Sequence, residues 1–288
     1  MSSLFNNIEE WIILGLIEAI MDNLTNMLGA INQQVGDVAH NVGMTPVEFN
    51  PGVFAMIRTL SETIIIPIAG LILTFIACYE LITMIIERNN FHEFETFLIF
   101  KWIFKTTVAV LILTNTFNIV IAIFEVAQSV VNQSAGIISG SLELGTGDLS
   151  AFRAQLEDMS MWSLIGLFMQ TAIVQIAIWA MSICVFIIVF GRMIEIYMVA
   201  SIAPIPLSTL ANREWGTIGQ SYLKSLFALG FQGFLIMICI AIYSVMIQSI
   251  TAGGNIHMAI WFFAGYTALL CFSLFKTGSL AKSLFGTS

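Results

Sequence analysis

The stretch KSLFALGFQGFLIMICIAIYSVMIQSITAGGNIHMAIWFFAGYTALLCFSLFK, residues 224–276, decides the fold of this chain. Residues 225–275 contain no Asp, Glu, Lys or Arg, and the Gly-containing segment 251–255 is the main interruption of the apolar sequence. Each side of this interruption is about 20 or more residues long, enough for an α-helix to span the roughly 30 Å hydrocarbon core of a bilayer. The stretch therefore predicts a hairpin of two transmembrane helices.

The whole composition agrees with a membrane protein. Hydrophobic residues make up 58% of the chain, charged residues only 10%, and the mean hydropathy is +0.92, whereas about a quarter of the residues of a soluble domain are charged. The sequence contains no P-loop and no spacing typical of a zinc site, and its four cysteines lie in separate apolar runs. We predict an all-α polytopic membrane protein without catalytic residues, cofactor or metal, and any energy it uses comes from a partner.

The uncharged runs predict five transmembrane helices in a single membrane domain, residues 52–288. The predicted spans are residues 64–86, 104–124, 162–190, 226–250 and 257–275. A loop at 137–160, rich in Gly, Ser and acidic residues, indicates solvent. Residues 191–224 are expected to form a broken helix, because Pro204 and Pro206 cannot both lie in an undisturbed helix.

The N-terminal region, residues 1–51, is predicted to contain an amphipathic helix outside the membrane domain. Apolar residues, Trp11 among them, recur at three- and four-residue steps over residues 4–31. The acidic residues Glu18 and Asp22 lie between them, as in an amphipathic helix. The longest uncharged stretch there is too short to cross a bilayer. The helix is therefore expected to lie at the interface or to pack against other subunits.

The distribution of basic residues favours an N-terminus outside the cell and a C-terminus in the cytoplasm. With five crossings, eight of the ten basic residues lie on the cytoplasmic side, as the positive-inside rule requires. These are Arg88, Lys101, Lys105, Arg192, Arg213, Lys224, Lys276 and Lys282. A sixth crossing by residues 193–211 would leave only four basic residues inside, so five crossings are preferred.

Five charged residues lie in or beside the predicted spans, where charge is costly: Glu80, Lys101, Lys105, Arg192 and Glu195. One interpretation is mutual neutralisation near the inner interface, with Arg192 pairing with Glu195 and Glu80 reaching Lys101 or Lys105. The other is that these groups line an aqueous path. The sequence leaves both open.

Gly230 and Gly233 lie in the fourth predicted span, residues 226–250. Glycines in a membrane helix allow a neighbouring helix to approach closely. This supports helix association in general and identifies no partner.

Several strings together resemble the VirB6/TrbL-like conjugal transfer proteins of Gram-positive integrative and conjugative elements. They are GRMIEIY (191–197), APIP (203–206), NREWG (212–216), FALGFQGF (227–234) and FSLFKTGSLAK (272–282). The resemblance implies a multi-pass protein of the bacterial cell membrane in a type IV secretion channel that passes relaxase-bound single-stranded DNA. It also implies a homo-oligomer, five-fold by family analogy, beside VirB3-, VirB4- and VirB8-like subunits and a VirD4-like coupling protein.

In the frame of this resemblance, two groups of residues become candidates for contacts. Trp11, Glu18 and Asp22 would form an acidic outer ring or mouth, while Arg213, Trp215 and Lys224 would face cytoplasmic partners. Two alternative functions stay open. One is a secondary transporter or small channel, which the broken helix favours and the lack of an internal repeat opposes; the other is a structural scaffold that does not line the DNA path.

Overall fold

A computed structural model describes residues 2–86, 96–138, 149–212, 214–251 and 255–287, and this part of the chain contains helices and no strand. In chain order the α-helices are α1 (Ser2–Gly43), α2 (Pro46–Phe49), α3 (Pro51–Leu60), α4 (Ile66–Ile86), α5 (Thr96–Thr114), α6 (Thr116–Ile138), α7 (Leu149–Glu157), α8 (Met161–Ile202), α9 (Pro204–Ser208), α10 (Gly216–Thr251) and α11 (Ile256–Leu284). A π-helix, Ser61–Ile65, joins α3 to α4, and a 3₁₀-helix, Thr209–Ala211, follows α9. The predicted all-α fold is confirmed.

Within the described part of the chain, six helical segments are long and apolar enough to cross a membrane. They are Ile8–Gly43, Pro51–Ile86, Phe97–Thr114, Met161–Ile202, Gly216–Ile250 and Ile256–Leu284. The last five correspond to the five predicted spans, and the predicted hairpin is present as α10 and α11. The first was not predicted to be long enough.

The N-terminal helix is longer than the sequence pattern suggested. Helix α1 continues for 42 residues to Gly43, because the apolar face extends beyond Ile31 through the buried side chains of Val35, Val38 and Val42. Gly36 does not end the helix, and there is open space around its Cα. The statement that this region is too short to cross a bilayer was therefore wrong on length.

The second predicted span, 104–124, is displaced. Helix α5 ends at Thr114 and α6 begins at Thr116, so the candidate span is Phe97–Thr114. The polar side chains at the junction bond back to the preceding turn: Asn115 Nδ2 donates to Leu111 O at 3.0 Å, and Thr116 Oγ1 donates to Ile112 O at 2.9 Å. Such local bonds compete with the regular helix and explain the interruption.

Capping residues mark the entry into the second candidate span. Thr45 and Glu48 form a reciprocal capping box, and Asn50 Oδ1 accepts from Val53 N at 3.0 Å. The backbone and side-chain hydrogen bonds that Glu48 receives from Thr45 hold the pKa of this carboxyl group below its ordinary value. Further along, the π-helix Ser61–Ile65 ends two residues before Pro67, whose missing N–H interrupts the regular bonding pattern.

The chain divides into two compact units. Unit 1 consists of residues 1–43, 131–189 and 235–277, and unit 2 of residues 44–130, 190–234 and 278–288. In unit 1, α1 buries one apolar face, and Asn23 Nδ2 donates to Thr171 Oγ1 of α8 at 3.1 Å. In unit 2, a core forms between α6, α8, α9 and α10 around Phe117, Tyr197 and Leu229.

Helix α8 continues past the point where the third span was expected to end. It runs without interruption through residues 191–195 to Ile202. Neither Gly191, which has open space around it, nor Arg192, whose side chain is buried, ends the helix. The break occurs at the two prolines instead. The segment Ala203–Trp215, which we term the helix break, contains α9 and the 3₁₀-helix. The predicted broken helix is thus present, though it starts twelve residues later than residue 191.

Buried polar side chains satisfy the backbone of the helix break. Ser208 Oγ donates to Ile205 O and Thr209 Oγ1 donates to Pro206 O, each at 2.7 Å. Asn212 Oδ1 accepts from the backbone N–H groups of the next two described residues, Glu214 and Trp215, at 2.7 and 3.3 Å. These contacts lie immediately before the start of α10.

Gly219 holds the helix break against α10. Its N–H donates to Thr209 Oγ1 at 3.1 Å. A Cβ at this position would lie 2.7 Å from the carbonyl oxygen of Pro206 and 2.6 Å from Leu210 Cγ. The first of these atoms belongs to the backbone, so α10 could accommodate a side chain here only by moving away from the break.

We expect Gly219→Ala to destabilise the protein by about 1 to 3 kcal/mol, the usual cost of overpacking a close contact. Gly265→Ala is the matched control, because Gly265 is also helical and has nothing within 4 Å; it should be neutral or stabilising by up to about 1 kcal/mol. The measurement is the thermal transition of the detergent-purified protein followed by size-exclusion chromatography. Equal transition temperatures for the two variants would contradict the close contact.

Candidate functional site

The charged residues predicted to lie in or beside the membrane spans fall in unit 2, and four of the five form contacts between helices. Lys105 Nζ of α5 donates to Glu80 Oε1 of α4, and both side chains are partly exposed. Lys105 is thus the partner of Glu80, one of the two that the sequence allowed. Lys101 lies one turn earlier on α5 and is exposed, with no ion pair to any residue that the structure describes.

Arg192 is almost completely buried, with 3% of its surface exposed. Its Nε and Nη2 lie 3.4 and 3.5 Å from the carbonyl oxygens of Leu229 and Gly230 on α10. Carbonyl oxygens directed at a buried cation stabilise its charge. These two contacts lie at the long end of the hydrogen-bond range. Arg192 therefore has a structural environment between α8 and α10 and is not exposed to solvent.

Gly230 permits the close packing on which this environment depends. A Cβ at Gly230 would lie 2.9 Å from Ala127 Cβ of α6, so the backbone of α10 comes within contact distance of a side chain of α6. The predicted use of Gly230 for close helix approach agrees with this geometry.

Glu195 forms its ion pair with Lys282 of α11, at 3.2 Å between Oε1 and Nζ. The pairing of Arg192 with Glu195 expected from their three-residue spacing is not the contact that forms, because Lys282 reaches Glu195 from another helix and Arg192 is directed at α10. The sequence contained one indication of this contact. The distribution of basic residues places Lys282 on the cytoplasmic side, and Glu195 was expected near the inner interface of the membrane.

The remaining candidates of unit 2 lie in the helix break or just after it. Pro204 is buried and Pro206 is half-buried. Trp215 is 43% exposed and its ring lies against Phe75, with 6.3 Å between ring centroids. Lys224 is exposed on α10. Arg213 lies outside the described residues, so the predicted partner surface retains Trp215 and Lys224.

The candidates of unit 1 share one face of α1. Trp11 is 77% exposed, and Glu18 and Asp22 are exposed as well. The same exposed face contains three polar residues that were not singled out from the sequence. We term it the polar face of α1; it consists of Glu18, Asp22, Asn26, Gln33 and Asp37. A helical-wheel projection of the full helix would have revealed it, but the helix was expected to end near residue 31.

Hydrogen bonds between helices also occur in the interior of unit 1. His257 Nδ1 and Gln170 Oε1 are 2.9 Å apart, and Tyr243 and Thr267 join their hydroxyl groups at 2.8 Å. Among the described residues, no three His, Cys, Asp or Glu side chains come close enough to hold a metal ion. These described polar groups of unit 1 thus connect helices.

Residues 31–204 match the family model described as TrbL/VirB6 plasmid conjugal transfer like protein. The matched region begins in the second half of α1 and ends at the first proline of the helix break, and it covers more than half of the chain. No curated protein gives a significant match. No solved structure gives one either.

The Glu80–Lys105 pair gives a testable double-mutant cycle. We expect Glu80→Gln and Lys105→Gln each to lower the thermal transition of the purified protein more than the double variant does, because each single change leaves an uncompensated charge beside lipid. The control is the exposed pair of Arg153 and Glu157, one turn apart on α7, for which the coupling should be about 0 to 0.5 kcal/mol. If the losses of the two single variants add up in the double variant, the charges of Glu80 and Lys105 do not stabilise each other in the folded protein.

Proposed function

Because the chain belongs to the TrbL/VirB6 plasmid conjugal transfer-like family, we propose that it forms part of the passage for single-stranded DNA in a conjugation machine. The chain is a multi-pass protein of the cell membrane and a conjugal transfer component that works within a type IV secretion system. The proposal adds that it contributes to the path of the relaxase-bound strand, as a non-enzymatic subunit.

The polar face of α1 is the observation that carries this proposal. Helix α1 already buries its apolar side in unit 1, where Ile20, Leu24 and Ile31 are 0 to 1% exposed. The opposite side presents carboxylates and amides from Glu18 to Asp37 to the surroundings. A row of such groups is costly in contact with acyl chains and stable in contact with water. Helix α1 is therefore suited to border an aqueous space.

One chain cannot enclose an aqueous space with a single helix face. We propose that several copies arrange their α1 helices around an axis, with the polar faces directed inward, in a ring of five by family analogy. Gly29 and Gly36 lie on this same polar face, with open space around them, so in such a ring they would leave room at the axis. The acidic groups would repel DNA phosphates and so favour passage over retention.

The charge distribution supports the proposed orientation. A cytoplasmic C-terminus places Lys276 and Lys282 on the inner side, in keeping with the positive-inside rule. Trp215 and Lys224 would then be available to the VirB3-, VirB4- and VirB8-like subunits and to the VirD4-like coupling protein proposed as partners. With the N-terminus outside the cell, as proposed, the polar face of α1 would border the passage near the outer face.

Formaldehyde crosslinking in donor cells tests the proposal directly. A tagged copy of the chain is precipitated during transfer, and the transferring strand is quantified in cells with and without the coupling protein. We expect recovery of the strand that depends on the coupling protein. No recovery, in cells where deletion of the gene abolishes transfer, would contradict a place on the DNA path and favour the scaffold.

Charge reversal on the polar face gives a second test. Glu18→Lys with Asp22→Lys should lower transfer at least tenfold, because a ring of cations would bind phosphates that must pass. The control is Glu125→Lys, which reverses an exposed acid on α6. Transfer frequency is measured by mating at equal membrane levels of each variant. Unchanged transfer in the double variant would remove the polar face of α1 from the DNA path.

A further inference from the structure

A groove on unit 2 lies between α5 and the helix break. Its cavity measures about 310 Å³ and is lined by residues 101, 104, 105, 108, 109 and 112 of α5 and by residues 207, 210 and 211 of the break. We term this cavity the break groove. Apart from the two lysines its lining is apolar: Phe104, Val108 and Ile112 on one side face Leu207 and Leu210 on the other.

The two lysines give one end of the break groove a positive charge. Lys101 and Lys105 are one helical turn apart on α5, where like charges repel. Glu80 neutralises Lys105, whereas Lys101 has no ion-pair partner among the residues that the structure describes. The three groups together thus leave one net positive charge, at the end of the groove nearest the start of α5.

The length of the break groove matches one leaflet of a bilayer. From Lys101 to Ile112 the helix rises about 16 Å at 1.5 Å per residue. Half of the hydrocarbon core of a bilayer is about 15 Å thick. A molecule with an anionic head at Lys101 and an apolar chain along Phe104, Val108 and Ile112 would therefore fit the groove from end to end.

We propose that the break groove binds an anionic phospholipid, with its phosphate at Lys101 and an acyl chain between α5 and the helix break. The lipid would cover Leu207 and Leu210, side chains of a segment that is not a continuous helix. Irregular backbone at membrane depth needs such cover, from protein or from another molecule. The site is independent of any contact with DNA.

Native mass spectrometry of the full chain tests this site. The protein is purified in a non-ionic detergent, delipidated, and titrated with phosphatidylglycerol or with phosphatidylcholine of the same acyl chains. We expect phosphatidylglycerol to bind at the lower concentration. This comparison uses the unaltered protein, so it decides the question even if a variant fails to fold. Equal binding of the two lipids would overturn the proposal.

Two matched pairs of variants locate the lipid. Lys101→Gln should raise the half-saturating concentration of phosphatidylglycerol about fivefold, the effect of one basic residue at a charged lipid surface. Lys224→Gln, which removes an exposed lysine of α10 outside the groove, should leave it unchanged. Val108→Phe should reduce binding by filling the groove, whereas Val110→Phe, on the outer side of the same helix, should not. Equal effects within either pair would overturn the assignment.

Discussion

The structure depends on the requirement that backbone N–H and C=O groups find partners wherever water is absent. Pro204 and Pro206 remove the N–H groups that would bond the carbonyls of Ala200 and Ile202 in a continuous helix. Short polar side chains are concentrated at this point. They are buried and hydrogen-bonded to backbone groups: Ser201, Ser208, Thr209 and Asn212. The buried polar side chains of this segment therefore stabilise the helix break. Their burial alone does not indicate a ligand site.

The charged groups in and beside the spans obey the same requirement by other means. Glu80 and Glu195 each meet a lysine from a different helix, so the charge is neutralised and two helices are linked. Arg192 has backbone carbonyls around its guanidinium group in place of a carboxylate. This explains why an arginine with only 3% of its surface exposed can lie beside a glycine of α10 without an ion pair to any residue that the structure describes. These residues organise unit 2, while the polar face of α1 remains open to partners.

The sequence predicted the elements whose signals are local and left out those that depend on packing. Long uncharged runs specified the α10–α11 hairpin. The length of α1 was missed because a helix that mixes Asp and Gly with Val does not resemble a membrane span, although packing of the valines continues it to Gly43. Lys282 was missed as the partner of Glu195 because residues 87 apart in sequence carry no local sign of contact. The polar face of α1 required the full helix before it could be seen.

The apolar and acidic character of α1 has a consequence for biogenesis. Residues 1–57 contain no lysine and no arginine, and cytoplasmic retention during insertion acts on those two residue types, with acidic residues contributing little. Under the positive-inside rule nothing in residues 1–57 therefore opposes export of this helix, whereas each later span has basic residues within it or near its ends. The position of α1 then depends on its contacts: its apolar side packs in unit 1, and its polar face needs water or another polar surface.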